Sequence, residues 1–519
     1  MSSALPELYD VTPLSADAAR LMPSNGASTS AAQQFLGSHA SFGRCQVKEP
    51  KSGNGDPVDD DACAADRLPL LQWQEACPLV VKELRATPGG VAEAVAATRP
   101  LRSEATASHQ PARHVNMSAS VSSPLRYLLA VLAVLEHSSA VIVVRTSPVK
   151  QLARFGSMPA PSPTWASTAR LIPHLLTVMR FAEHDCCTLA VPRSLLDSQL
   201  SDWTRNIAVS AGIIPRDVDA AATDKMMVVL SLPTAVDVVM PQASLDLDMF
   251  IDAFRDDFFS FSKFDGRGNQ VRGDRVASLN FADFVLNLGR ALQQLHTEYR
   301  RAHLDMCPRN VLICIMPWRD TEIQVPTTRR EFLAMVHRDS ASGELLWSSN
   351  FCAVLADFES SMRVGSSPSP PDADLHADPS LPVPLTEQFL PYKAPERDAI
   401  GSKVFLDDKE LVDPAIGAAK KADVYSFGLI LLRLIFGTSK LRAADGGEQQ
   451  PHQATMEYLT GHLLNEFDDY VGSPPSTLGA QWAELIASMV QRDWTQRPTA
   501  SEIVERVERI RHEVLLLYF

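Results

Sequence analysis

The stretch HLDMCPRNVLI, residues 303–313, sets Asp305 and Asn310 five positions apart on a short loop that leads into an apolar run. A carboxylate can orient a hydroxyl nucleophile, and an amide oxygen is a good ligand for a hard cation such as magnesium. Both are needed for phosphoryl transfer. In AVLADFESSM, 353–362, a short apolar strand delivers Asp357 to a turn. PLVVKEL, 78–84, reads as a strand carrying Lys82, and AVIVVRT, 140–146, as another carrying Arg145.

These residues are far apart in the chain, so other elements must bring them together. FADFVLNLGRALQQLHTEY, 281–299, has apolar residues at Phe284, Leu286, Leu288, Leu292 and Leu295 and predicts an amphipathic helix running into the 303–313 loop. ADVYSFGLILLRLIFG, 422–437, is apolar on every side, which predicts a helix at the centre of a domain with Asp423 as its N-cap. YLLAVLAVLEHSSAVIVV, 127–144, carries Glu136, His137 and two serines at its centre; a buried helix followed by a buried strand is expected, with no membrane span. MMVVLSLPTAVDVVM, 226–240, predicts one further strand. In the last helix, Thr499 and Glu502 form a capping box, and Ile503, Val507, Ile510 and Val514 make a core stripe.

The remaining sequence is polar and rich in turn formers. Residues 1–34 predict a disordered tail, and 48–67, 85–123 and 148–167 predict loop insertions. TTRREFLAMVHRD, within 317–352, predicts a surface helix in another insertion. A chain of 519 residues suggests about two to four domains. A net charge of −14 disfavours a nucleic-acid binder. The 8 cysteines form no CxxC or Cys/His cluster, which fits reduced thiols inside a cell rather than a zinc site. The N-terminus has no basic start followed by an apolar core, so no secretory signal is expected and a cytoplasmic location is.

Five motifs in a fixed order resemble the eukaryotic protein-kinase superfamily over roughly residues 35–519. They are HLDMCPRN, ADFE at 356–359, YKAPER at 392–397, DVYSFG at 423–428 and QRDWTQRPT at 491–499. The resemblance implies an α+β, bilobal protein-kinase-like fold: a small β-rich N-lobe with long insertions (35–240) and a mainly α-helical C-lobe (241–519). The catalytic loop would be 303–313 and the activation segment 357–396. It implies ATP and Mg2+ as cofactors and a protein substrate as partner. Asp305 would orient the substrate hydroxyl, Asn310 and Asp357 would hold magnesium, and Lys82, in the place of the family's strand lysine, would contact the phosphates, with Arg145 as the rival for that place. Asp423 would brace the catalytic loop, and Glu396 would pair with Arg497. FLGSHASFGRCQV, 35–47, resembles a glycine-rich phosphate loop through Gly37 and Gly43, with one residue too many and no middle glycine.

Other positions depart from the family. Leu304 replaces the arginine that clamps a phosphorylated activation loop, which implies that phosphate at Ser366, Ser367, Ser369 or Thr386 is not the switch. Cys307 replaces a lysine that neutralises the transferring phosphate; Arg309 is the candidate to take over, or is a surface arginine. Glu359 replaces glycine and either supports a metal or repels ATP. No helix glutamate is assigned to Lys82; Glu93 and Glu104 lie upstream in insertion-like sequence. The expected activity is transfer of the ATP γ-phosphate to a protein hydroxyl, serine or threonine, with Arg309 leaning towards tyrosine kinases. The alternatives are a pseudokinase that binds ATP or scaffolds, and a small-molecule phosphotransferase.

Overall fold

A computed structural model describes residues 8–13, 40–48, 61–86, 119–145, 151–162, 165–181, 187–216, 227–259, 263–264, 270–271, 275–315, 346–364, 392–396, 412–444 and 477–518. The chain is mixed α/β. Seven strands form the main sheet, in the order β1-β2-β3-β9-β6-β4-β5. They are β1 (Tyr9–Pro13), β2 (Ala40–Val47), β3 (Leu79–Arg85), β4 (Ala140–Arg145), β5 (Gln151–Gly156), β6 (Leu176–Phe181) and β9 (Ala235–Pro241). All neighbours are antiparallel except β4 and β6. The strand β7 (Cys187–Pro192) pairs separately with β8 (Met227–Leu232).

Strand alternation decides what each face of this sheet does. Leu79 and Val81 of β3, Ile142 of β4 and Val178 of β6 point to one face. There they meet Leu70 and Trp73 of α1 (Asp61–Ala76), in a small separate core. Val80 and Leu84 of β3, Val141 and Val143 of β4, and Val236 and Val238 of β9 point the other way, into the main core. Lys82 lies between Val80 and Leu84 in the strand alternation, so the sheet aims it at that second face. The helix α2 (Ala119–His137) covers this face with Leu125, Leu128, Val131, Leu132 and Leu135, all buried.

The main core continues without a break into the helices that follow. Beyond the short α3 (Trp165–Thr168), these are α4 (Arg193–Gln199), α5 (Asp202–Ser210), α6 (Leu247–Phe258), α7 (Arg275–Thr297), α8 (Trp347–Asn350), α9 (Val412–Ala444), α10 (Thr477–Met489) and α11 (Ala500–Tyr518). In α9, a Cβ on Gly428 would come within 2.7 Å of Val490 and 3.0 Å of Met489, so glycine is what lets the end of α10 lie against it. Ile503, Val507, Ile510 and Val514 of α11 are buried as the stripe predicts, and Thr499 and Glu502 exchange the capping-box bonds at 2.6 and 3.2 Å. Among the described residues no helix is long and apolar enough to cross a membrane.

Short strands complete the positioning. The strands β10 (Leu245–Asp246), β14 (Val311–Ile315) and β15 (Phe351–Leu355) form one small sheet. β11 (Lys263–Phe264) pairs with β12 (Gln270–Val271), and β13 (Arg301–Ala302) pairs with β16 (Met362–Arg363). The segment ahead of β6 ties the two regions together: Ile172 N donates to Leu355 O at 2.9 Å and Leu355 N to Arg170 O at 3.0 Å.

Several expectations are corrected. Residues 9–13 form the edge strand β1 rather than part of a disordered tail, because β2 offers them an apolar, hydrogen-bonding edge. The stretches 48–67, 85–123 and 148–167 are not loops throughout, since they contain the start of α1, the start of α2, and β5 with α3. Residues 226–240 make two strands, because the Pro233–Thr234 turn sends β8 to β7 and β9 into the main sheet. The fourth lies in α9, which begins at Val412, so Asp423 sits inside the helix and is not its N-cap. The expected helix at 327–339 falls outside the described residues.

The segment from Tyr392 to Glu396 is fastened to α9. Ser426 Oγ donates to Tyr392 O at 2.6 Å, and Arg433 Nη1 donates to the Tyr392 hydroxyl oxygen at 2.9 Å. Arg497, 2% exposed, donates to Glu396 Oε2 at 2.9 Å, to Gln491 O at 2.7 Å and to Lys421 O at 2.9 Å. Removing one member of such a pair strands a buried charge. Glu396→Ala is therefore expected to lower unfolding free energy by roughly 3–5 kcal/mol, measured by urea denaturation; a loss well under 1 kcal/mol would contradict the pairing.

Candidate functional site

The loop at 303–310 is held from below by one carboxylate. Asp423, 1% exposed, accepts from His303 N at 2.6 Å, Leu304 N at 2.7 Å and His296 Nε2 at 2.9 Å. Leu304 has φ +60°, a left-handed conformation that a leucine adopts at a cost of roughly 1 kcal/mol or more. Two backbone bonds to a buried carboxylate keep it there. His303 is locked as well: Asp305 N donates to its Nδ1 at 3.3 Å, so its Nε2 carries the proton donated to Ala356 O at 2.9 Å.

The β14–β15 hairpin then gathers the chemical groups. Val311 lies opposite Leu355, and Ala356 N donates to Asn310 O at 2.9 Å, so Asn310 and the Asp357 turn share one end of the hairpin. The Asn310 amide donates to Asp305 O at 2.7 Å and Asp305 Oδ2 at 3.0 Å. That fixes the amide nitrogen on Asp305 and turns the amide oxygen to the opposite side. Asp357 is also left-handed, at φ +65°, and a 3₁₀ turn, Phe358–Ser360, follows. The turn returns its carboxylate to the main sheet, where Lys82 Nζ donates to Asp357 Oδ1 at 2.9 Å.

Lys82 has a second acid. Glu359 also pairs with it, on the far side of the same turn. Burial would push the Lys82 ammonium down, but Asp357 and Glu359 more than offset this and hold it above the usual lysine range. Burial also opposes ionisation of Asp357, yet the Lys82 charge prevails and holds that carboxyl below its usual range. Glu359 stays above its own: burial dominates, Lys82 compensates only in part and Asp357 repels it. Glu359 is thus a carboxylate partner of Lys82, for which the sequence assigns none. Its identity as an extra acid was legible at 359, but its pairing with Lys82 depends on the reversal of the chain at Phe358.

The buried Phe358 ring is the hub beneath this turn. It stacks on His137 with centroids 4.2 Å apart and lies 5.5 Å from His303 and 5.9 Å from His174. Burial pushes His137 well down and lowers His174 to about 4, a donation to the Val134 carbonyl opposing this only in part.

The other candidates separate. Gly43 lies inside β2, opposite Val81, and a Cβ there would meet Val11 and Thr12 of β1. Gly37 falls outside the described residues, as do Glu93, Glu104, Ser366, Ser367, Ser369 and Thr386. Arg309 is half-exposed with its Nε 3.5 Å from Asp248 Oδ2. Burial and the neighbouring Asp305 push the Cys307 thiol up to about 12, so it supplies no charge of its own. Arg145 is no rival for Lys82: its guanidinium donates to Ala211 O and lies 4.7 Å over the Phe181 ring.

No family model matches the chain. It is 34% identical over 95 residues to the serine/threonine-protein kinase PBL36 of Arabidopsis thaliana, covering 17% of this chain and 19% of that protein. It is 24% identical over 194 residues to the proline-rich receptor-like protein kinase PERK10 of the same plant, covering 35% and 21%. The chain thus spans about a fifth of the length of the curated relatives it matches. The similarity is distant and partial, and it is to protein kinases.

A histidine whose folded pKa is depressed leaves protons to the unfolded chain. With His174 at about 4 when folded and about 6.5 when unfolded, stability is present above pH 6.5 and is lost as pH falls towards 4. Urea unfolding at pH 7 and pH 4.5 should differ by about 2 kcal/mol from this residue alone. His174→Asn should recover most of that difference, and an unchanged pH slope in the variant would refute the assignment.

Proposed function

We propose that the chain is an ATP-dependent protein kinase of bilobal architecture, transferring the γ-phosphate to a serine or threonine hydroxyl of a protein. The observation that carries this is the meeting of Lys82 from the main sheet with Asp357, at the hairpin end that also holds Asn310 and Asp305. The partial similarity to two plant protein kinases, one of them titled serine/threonine, supports the reaction class and the choice of acceptor.

The donor set suits a hard cation, since the Asn310 amide oxygen and the Asp357 carboxylate are both oxygen ligands. Mg2+, when bound, would neutralise charge on the ATP phosphates. Asp305 accepts the hydrogen bond of the incoming hydroxyl and aims its oxygen at the γ-phosphorus. The Asn310 amide keeps Asp305 in position. Lys82 gives part of its charge to the α and β phosphates, and Glu359 keeps the ammonium from following them. Arg309 meets the transferring phosphate from the rim of the loop.

Glu359 is also what favours a second reading, a nucleotide-binding module without turnover, because its carboxylate lies beside the phosphate site. One experiment separates the two. Phosphate transfer from γ-labelled ATP to a mixed protein substrate is measured with Mg2+ for the parent, Asp305→Asn and Asp357→Asn. Asp305→Asn should cut the rate by roughly 10²-fold or more while ATP binding stays within about threefold. Asp357→Asn should abolish the magnesium dependence of ATP binding. Equal rates in parent and Asp305→Asn would reject the kinase reading; ATP binding without turnover in the parent would select the second.

A further inference from the structure

The segment between β6 and β9 forms a small unit with its own two-stranded sheet: β7, α4, α5 and β8. Its apolar side is not a separate core. Leu189, Val191, Leu195, Leu196, Ile207 and Leu230 belong to the same buried cluster as the α2 leucines. The polar contacts are more pointed. Glu136, on the last turn of α2, accepts from Ser201 Oγ at 3.0 Å and from the Thr204 hydroxyl. Ser201 caps α5, accepting from Thr204 N at 3.1 Å. The second Glu136 oxygen faces Arg363 Nη1 of β16 at 3.5 Å. Arg363 N in turn donates to Gln199 Oε1, at the end of α4, at 3.4 Å.

On the opposite strand of the β13–β16 pair is Arg301, 1% exposed, whose Nη1 donates to Ser361 O at 3.0 Å. Its burial pulls it down to about 10, and Glu136 provides the charge that opposes this. One carboxylate therefore touches the inserted unit, the helix over the Lys82 face and the strand that leaves the Asp357 turn. Glu136 is the penultimate residue of α2, next to His137, which stacks on Phe358. Moving it would move the floor under Asp357.

We infer that Glu136 is a positioning residue, by which the unit of β7, α4, α5 and β8 locks α2 and β16 in the assembled arrangement without a phosphate. The inference rests on the kinase reading for its effect on rate, though not for its effect on structure. Leu304 fits it. A buried leucine occupies the position where a charged residue would be needed to grip a phosphorylated segment, and the grip on β16 comes from Glu136 and Gln199 instead.

The test uses the full chain, dephosphorylated and checked by mass spectrometry, with Glu136→Gln and the double variant Ser201→Ala/Thr204→Val. Hydrogen exchange is followed at 361–364 and in α2, beside kcat, KM for ATP and the urea midpoint. Both variants should exchange at least tenfold faster at 361–364, and kcat should fall tenfold or more with KM for ATP within threefold. The dephosphorylated parent should keep its full rate. Glu136→Asp, which keeps the charge, should recover part of the protection. Unchanged exchange at 361–364 in the folded variants, or a parent that loses its rate on dephosphorylation, overturns the inference. If the parent has no turnover at all, the kinase reading fails, and exchange alone still decides the clamp. If Glu136→Gln does not fold, the double variant supplies both readouts, because it leaves every charge in place.

Discussion

A single buried carboxylate underlies the site. Asp423 is on α9, buried throughout 422–435, and holds two consecutive backbone amides of the 303–310 loop together with the His296 ring. Those bonds make a left-handed leucine tolerable, and that leucine sets the direction in which Asp305 leaves the loop. His303 passes the constraint on to Ala356, one residue before Asp357. The geometry of the Asp305 and Asp357 carboxylates is thus tied to a third, that of Asp423. A carboxylate suits this role because one group can accept several amide bonds, and bonds to a charged acceptor are about twice as strong as neutral ones.

Lys82 is a different kind of constraint. It reaches the site from the sheet through strand alternation alone, since Val80 and Leu84 flank it on the same face. One ammonium then faces two carboxylates, and they are not equivalent. Asp357 is held ionised, while burial leaves Glu359 the weaker acid. Two carboxylates thus share one ammonium. Glu136 of α2 makes its contacts elsewhere, with Ser201, Thr204 and Arg363.

The candidate site residues were legible in the sequence because each sits in a short local pattern. Asp305 and Asn310 are close in the chain, Asp357 ends an apolar strand, and Lys82 lies in one. The core helices were legible for the same reason, as the buried stripe Ile503, Val507, Ile510 and Val514 illustrates. What was not legible depends on contacts distant in the chain. The edge strand at 9–13 exists only because β2 pairs with it. Residues 226–240 read as one apolar run, yet half pair with β7 and half with β3. The partner of Lys82 was visible as a residue but not as a neighbour, because φ +65° at Asp357 cannot be read from a non-glycine in a strand-to-turn passage.

Cys307 stands between Asp305 and Asn310, in the middle of the loop. Its thiol is buried and raised to about 12, so it carries almost no thiolate at neutral pH. Thiolate is the form that peroxides and electrophiles attack. Oxidative stress would therefore pass this loop by, even though a sulfur atom lies next to the residue that would receive the substrate. Cys45, Cys77, Cys314 and Cys352 are buried and shifted upward in the same way. A redox signal would have no easy entry at any of these five thiols.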